Sequence, residues 1–262
     1  MQNQMILTMF FLDEPLPELE VLAAPDWIIN KPLLPDGEKQ QRLSALHKPL
    51  ADFTQQIVLN GKLPVSIAGD CCTTLGMLTG LQRAGRDPAL IWFDAHGDFN
   101  TWETTPSGFL GGMPLAMLVG RGEQTMLTAQ ELSPLAEDRV ILTDARDLDP
   151  GEKQLIEAAS IIHLPDVKSI LDSTLPSGPV YVHIDTDIVN PAEASAMNYL
   201  AAGGPSATEL KTVMKHLSRT GQIAAVSMST WNPKMDEDGQ SRKVCMGLLD
   251  TLIGNEKSEE PI

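Results

Sequence analysis

Short, almost unbroken apolar runs alternate along the chain with longer stretches of helical period. The runs QMILTMFFL (4–12), PVSIA (64–68), ALIWFD (89–94), RVIL (139–142), SIIHL (160–164), VYVHID (180–185) and IAAVSMS (223–229) predict strands. Most lack the polar alternation of a half-exposed strand, as expected of a parallel sheet covered on both faces. Between the runs, apolar positions recur at helical spacing over 37–59, 73–84, 150–158, 166–171, 206–218 and 239–252, and these segments predict helices. The tetrapeptide S-A-T-E at 206–209 is a capping-box start. The alternation of strand and helix argues for an α/β fold: three layers, doubly wound, with a mainly parallel sheet and helices on both faces. Neither an internal repeat nor a Pro/Gly/Ser linker divides the chain. The expectation is one domain over 1–262, with a charged tail at 254–262 fraying from it.

The polar residues that interrupt this pattern stand at strand ends. In open α/β sheets ligands bind beyond the carboxyl ends of the strands. The run at 64–68 is followed by Asp70, Cys71 and Cys72, that at 89–94 delivers Asp94, His96 and Asp98, and that at 180–185 delivers Asp185 and Asp187. Alternate residues leaving a strand point the same way, so D-x-H-x-D and D-x-D can each converge on one ion. Either motif alone is equally a loop cluster or a lone cation site; together, at strand ends, they point to a metal site. Four carboxylates and one imidazole suit Mn²⁺ or Mg²⁺ better than a closed zinc site. Two ions roughly 3.5 Å apart could share a hydroxide and lower the pKa of water, chemistry suited to hydrolysis of a C–N bond.

Charge adds an exclusion. The chain carries 35 acidic against 19 basic residues, a formal net charge of −16. That balance argues against nucleic-acid binding and offers no basic patch for a membrane surface. Three cysteines, Cys71, Cys72 and Cys245, give no disulfide framework, so a reducing cytoplasm is the expected setting. The opening segment has no basic residue before its apolar run and is read as a first buried strand rather than a leader. Trp92, Trp102 and Trp231 beside the motifs are read as packing.

At these residues the sequence resembles the ureohydrolase family of arginases and agmatinases. AGDCCTTLG (68–76), DAHGDFN (94–100), TTPSGFLGGMP (104–114), RDLDPGE (146–152), HIDTDIVNP (183–191) and STWNP (229–233) are similar, in family order, to GGDHS, DAHxDxN, SGNxHGMP, RDVDPGE, SxDxDxxDP and EVNP. The resemblance implies an arginase-like fold, two manganese ions per chain (one, or another divalent metal, being the variant) and hydrolysis of a linear amidine or guanidino compound to urea or a substituted urea. It implies that Asp94 and Asp185 bridge both ions, that Asp98 completes one shell and orients the nucleophile, and that His96 and Asp187 complete the other. It also implies that Asn100 and Ser107 contact a substrate α-carboxylate, that Asp149 and Glu152 lie around its α-amino group, and that the chain assembles into homo-oligomers. For Asp149 and Glu152, a helix start is the competing reading.

The sequence departs from that pattern at the chemistry. Cys71 stands at the first-site histidine, a soft donor better matched to zinc or iron than to Mn²⁺. Gly111 replaces the loop histidine of the resembled family and Phe109 its asparagine. Thr230 replaces the glutamate that receives the guanidinium, and Asn190 an aspartate. His183, where the family has serine, is either a new acid/base or a core residue. The expectation is a hydrolase that keeps the amino-acid end of its pocket and rebuilds the guanidine end, suiting a hydroxyguanidine better than arginine. The alternatives are a catalytically silent binding protein of the same fold and a single-metal amide deacetylase.

Overall fold

The structure, a computed structural model, describes residues 2–255. Its centre is an eight-stranded sheet, parallel throughout, in the order β4-β1-β5-β10-β9-β6-β7-β8. The strands are β1 (Asn3–Thr8), β4 (Ile28–Asn30), β5 (Leu63–Ala68), β6 (Ala89–Asp94), β7 (Val140–Asp144), β8 (Ile162–Leu164), β9 (Val180–Asp185) and β10 (Ile223–Ser229). A separate antiparallel pair joins β2 (Phe10–Phe11) to β3 (Glu14–Pro15). The helices are α1 (Lys39–Leu59), α2 (Thr74–Arg83), α3 (Pro114–Leu118), α4 (Thr125–Gln130), α5 (Pro150–Ala158), α6 (Ser169–Asp172), α7 (Ala207–Arg219) and α8 (Gln240–Ile253). Among the described residues, no helix is long and apolar enough to cross a membrane.

The continuous apolar runs divide by alternation between two cores, which is why both faces of the sheet are covered. In β6, Leu90 and Trp92 pack with α1 and α2 residues such as Leu46, Leu50, Leu75 and Leu78. Ile91 and Phe93 face the other way, into a core with Val213 and Met214 of α7 and Leu248 and Leu249 of α8. Each side chain of this size contributes about 1.5–3 kcal/mol when fully buried. On α2, Gly76 and Gly80 let the backbone approach α1: a β-carbon would lie 2.9 Å from the His47 carbonyl oxygen and 2.5 Å from that of Ala51. Because α2 follows directly on the turn holding Cys71 and Cys72, this packing also fixes that turn against the sheet.

Chain order sets where a ligand can bind. After β5 the chain crosses to β6 and runs outward through β7 and β8. It then returns to fill the gap with β9 and β10. The four central strands β5, β10, β9 and β6 therefore lie side by side and parallel, with their carboxyl ends on one edge.

The apolar start behaves differently from its pattern. The predicted strand over 4–12 breaks at Met9, because the next residues are recruited to the sheet's carboxyl edge. Gly69 N donates to Phe10 O and Leu12 N donates to Asp70 Oδ2 at 2.7 Å. A β-carbon on Gly69 would lie 2.3 Å from Phe10 O, so only glycine allows this approach. Strand β4 and helices α3 and α4, each of six residues or fewer, were not expected. The helix expected over 166–171 is the shorter α6. In the tail expected to fray, Gly254 adopts a left-handed C-cap on α8, and residues 256–262 lie outside the described residues.

Candidate metal centre

The carboxyl ends of the four central strands form the floor of a cavity of about 420 Å³. Cys71 arrives from β5, Asp94 ends β6 with His96 and Asp98 following, Asp185 ends β9 with Asp187 following, and Thr230 follows β10. Potential donor atoms of Cys71, Asp94 and Asp185 lie within 4.8 Å of one another, as do those of Asp94, His96 and Asp187. Two adjacent clusters thus share Asp94. The structure brings together all six residues expected to hold metal, Asp98 facing the same cavity.

Each side chain is held by the turn that delivers it. Asp70 caps the turn after β5, accepting from Cys72 N at 2.8 Å with one oxygen and from Leu12 N with the other. Asp94 accepts from His96 N at 2.7 Å and from Trp92 Nε1 at 2.8 Å, so both oxygens are oriented. Asp185 accepts from Asp187 N at 2.8 Å, from the Thr230 hydroxyl, and from the Cys71 thiol at 3.0 Å. Asp187 accepts from Ala95 N at 3.2 Å and faces His96 Nδ1 at 3.0 Å. Arg146 donates to the Asp187 carbonyl at 3.2 Å while pairing with Asp144 at 2.7 Å, which pins the Asp187 turn to the end of β7. Asp98 has φ +49°, and its carbonyl accepts from Leu115 N at the start of α3.

Without cations this arrangement is electrostatically unfavourable. Burial, then the charges of Asp94 and Asp185, holds the Asp98 carboxyl well above the usual range. Burial with Asp187 and Asp94 does the same to Asp185, and burial raises Asp187 to about 6. Burial opposes protonation of His96, but hydrogen bonds and charge from Asp187 and Asp94 outweigh it and push the imidazole up to about 12. Burial, and then the charges of Asp185, Asp98 and Asp94, raises the Cys71 thiol. Asp98 Oδ2 is buried with no hydrogen-bond partner. Clustered carboxylates with an unsatisfied oxygen are what divalent cations satisfy, so the residues fit a metal centre. The six side chains offer oxygen, nitrogen and one sulfur.

The cavity walls hold the other expected contacts. Asn100, Ser107, Asp149 and Glu152 all line it. Asn100 Nδ2 donates to Asp149 Oδ2 at 2.9 Å and its Oδ1 accepts from Thr104, so it orients the Asp149 carboxylate. Asp149 and Glu152 also form the capping box of α5, so the helix-start reading holds alongside their place in the cavity. Glu152 accepts from Phe99 N at 2.8 Å, and burial raises it to about 7. Phe11, Asp147, Asn198 and Tyr199 line the cavity without having been anticipated. Asp147 sat within the quoted RDLDPGE; the aromatic pair had no local signal.

Three expected positions are corrected or sharpened. His183 does not reach the cavity, which corrects its reading as an acid/base. It is fully buried within β9, its Nδ1 2.7 Å from Ser227 Oγ and its ring 4.1 Å from Trp92, and burial depresses it to about 3. Thr230 lines the cavity with a left-handed backbone, φ +75°, but its hydroxyl is engaged with Asp185, Thr186 and the Ser229 carbonyl. Gly111 lies under the Phe109 ring: a β-carbon there would be 2.4 Å from two ring carbons. Trp92 and Trp231 are packed in the cores, and Trp102 is half exposed beside Glu123.

Comparison with known proteins follows the same lines. The model of the arginase family matches residues 10–254. The chain is 28% identical over 241 residues to an arginase of Bacillus subtilis strain 168, covering 86% of this chain and 81% of that protein. It is 30% identical over 221 residues to an arginase of Bacillus caldovelox, covering 79% and 74%. Among solved structures, Bacillus cereus arginase superposes with a TM-score of 0.84 at 23% identity, covering 99% of this chain and all of that one, a likeness that establishes the fold.

Proposed function

This chain belongs to the arginase family, and from that premise we propose that it hydrolyses a guanidino compound with two manganese ions held by Cys71, Asp94, His96, Asp98, Asp185 and Asp187. The family's members are hydrolases acting on C–N bonds of linear amidines, and so is this chain. The observation that carries the reading is the convergence of these six donors on one cavity floor, with the Asp98 Oδ2 atom buried and unpartnered. Cations bound there supply Lewis acidity and lower the pKa of water.

The remaining steps belong to the chain. Asp98 orients the attacking water through its free oxygen. Trp92 holds Asp94, and the Thr230 hydroxyl and the Asp187 amide hold Asp185, so the donors are set before substrate arrives. Asn100 and Ser107 take the carboxylate end of an amino-acid substrate, and Asp149 and Glu152 its ammonium end. At the guanidine end, a guanidinium wants a bidentate carboxylate. Thr230 is uncharged and its hydroxyl is already committed to Asp185. A less basic group, such as a hydroxyguanidine, needs that missing charge least.

The test is release of urea or a substituted urea by manganese-loaded protein from a panel containing arginine, agmatine and Nω-hydroxyarginine. Turnover is expected to be fastest with the hydroxyguanidine. No turnover of any member by protein shown to hold metal would refute the hydrolase reading.

A further inference from the structure

Gly111 and Phe109 occupy one volume, and this changes the meaning of both departures. A β-carbon on Gly111 would lie 2.4 Å from Cε1 and from Cζ of Phe109, whereas one on the adjacent Gly112 would meet nothing within 4 Å. The crowding is therefore specific to position 111. Phe109 is seated on both sides. Its ring stacks on Phe11 at 6.3 Å with planes 15° apart, and meets Tyr199 at 5.1 Å and 44°. These separations lie in the range of favourable ring pairs. All three rings line the same cavity as the metal-binding candidates. Phe11 is there because Asp70 and Gly69 hold the 10–12 segment at the sheet edge.

The wall thus has an aromatic surface where the resembled family carries an asparagine and a histidine, and Thr230, which lines the same cavity, has its hydroxyl tied to Asp185. We propose that Phe109, supported by Phe11 and Tyr199, is the specificity-determining residue of this cavity, forming a subsite for an apolar or aromatic portion of a guanidino substrate. The subsite rests on the reading of the cavity as a guanidine site, but it is a claim about affinity and not about turnover. Aromatic faces attract both apolar groups and the face of a cationic amidine. Discrimination by such a surface is graded, about 10-fold or more for a large apolar group, because it rejects poor ligands without an unpaired polar atom.

The experiment is calorimetric titration of manganese-loaded protein with methylguanidine, butylguanidine and benzylguanidine, beside thermal melts of the variants. Wild type is expected to bind benzylguanidine about 10-fold or more tighter than methylguanidine, with butylguanidine between. Phe109→Asn is expected to reduce that ratio to about 3-fold or less, weakening benzylguanidine selectively. Gly111→His should lower the melting temperature by driving the ring off Phe11 and Tyr199. The double variant F109N/G111H should recover much of that loss, since the two positions share one space. An unchanged ratio in Phe109→Asn, equal affinities in wild type, or additive melting shifts would overturn the subsite. Absence of binding by every guanidine would overturn the subsite and the guanidine site together. Selective binding without hydrolysis would remove the hydrolase reading and leave the subsite standing.

Discussion

Replacing Asp98 by asparagine should stabilise the metal-free protein while weakening its hold on metal. Asp98 is buried, its Oδ2 has no partner, and Asp94 and Asp185 raise its carboxyl well above the ordinary value of 3.8. In the folded, metal-free chain it therefore either carries a proton at neutral pH or bears an unscreened buried charge. Holding a carboxyl protonated at about pH 7, some three units above its ordinary value, costs at most about 4 kcal/mol at 1.36 kcal/mol per unit. That bounds the penalty from above, since the chain adopts whichever state is cheaper. Asparagine keeps the shape, removes the charge and tolerates φ +49°. The expected gain is at most about 4 kcal/mol near neutral pH, shrinking toward zero at about pH 4, where the carboxyl is protonated folded or unfolded. Urea denaturation of chelator-treated wild type and D98N across that range measures it. With manganese present the order should reverse. A metal-free D98N no more stable than wild type at neutral pH would refute the view that these carboxylates are strained without cations.

Metal-free stability should also fall as pH rises from about 6.5 to 8, read by the same denaturation; stability unchanged or rising across that window would contradict it. Glu152, raised to about 7, and Asp70 and Asp187, each raised to about 6, favour folding while protonated and lose that contribution as pH rises through those values. Buried His47 and His183, both depressed to about 3, act in the opposite sense as the unfolded imidazoles lose their protons around 6.5, but His96, pushed up to about 12, favours folding below 6.5 and loses that contribution as pH rises through the window. Trp92→Phe removes the 2.8 Å donor to Asp94 and should weaken manganese binding about 10–100-fold in a metal titration, with the fold retained by circular dichroism. Cys71→His exchanges a soft donor for a borderline one and should raise the manganese-to-zinc affinity ratio about 10-fold in a competition assay; an unchanged ratio would mean the thiol does not ligate.

Much of the fold was legible because it rests on local rules. Strands 89–94, 180–185 and 223–229 have the bounds their apolar runs predict, since a strand buried on both faces needs little but continuous apolar residues. The starts of α5 and α7 followed from the capping groups of Asp149 and Ser206. Strand β4 escaped because three residues show no period. The break at Met9 escaped because its cause, the Asp70 carboxylate, lies 58 residues from Leu12. At the site, convergence of the acids was readable from alternation at parallel strand ends. His183 shares that alternation with Asp185, but two residues back along a strand is roughly 6.6 Å, enough to place it in the core instead of the cavity. Phe109 and Gly111 each read as a loss. That one ring fills the other's space depends on side-chain direction across a loop, and residue type alone does not report it. Phe11 and Tyr199 reach the cavity only through tertiary contacts, so no nearby pattern marks them.

The most direct test of the central claim is anomalous scattering from crystals of the protein grown with manganese. Two peaks per chain are predicted on the cavity floor, both within coordinating distance of Asp94 and Asp185, one also contacting Cys71 Sγ and the other His96 and Asp187. A single peak, or none among these side chains, would contradict the two-metal account.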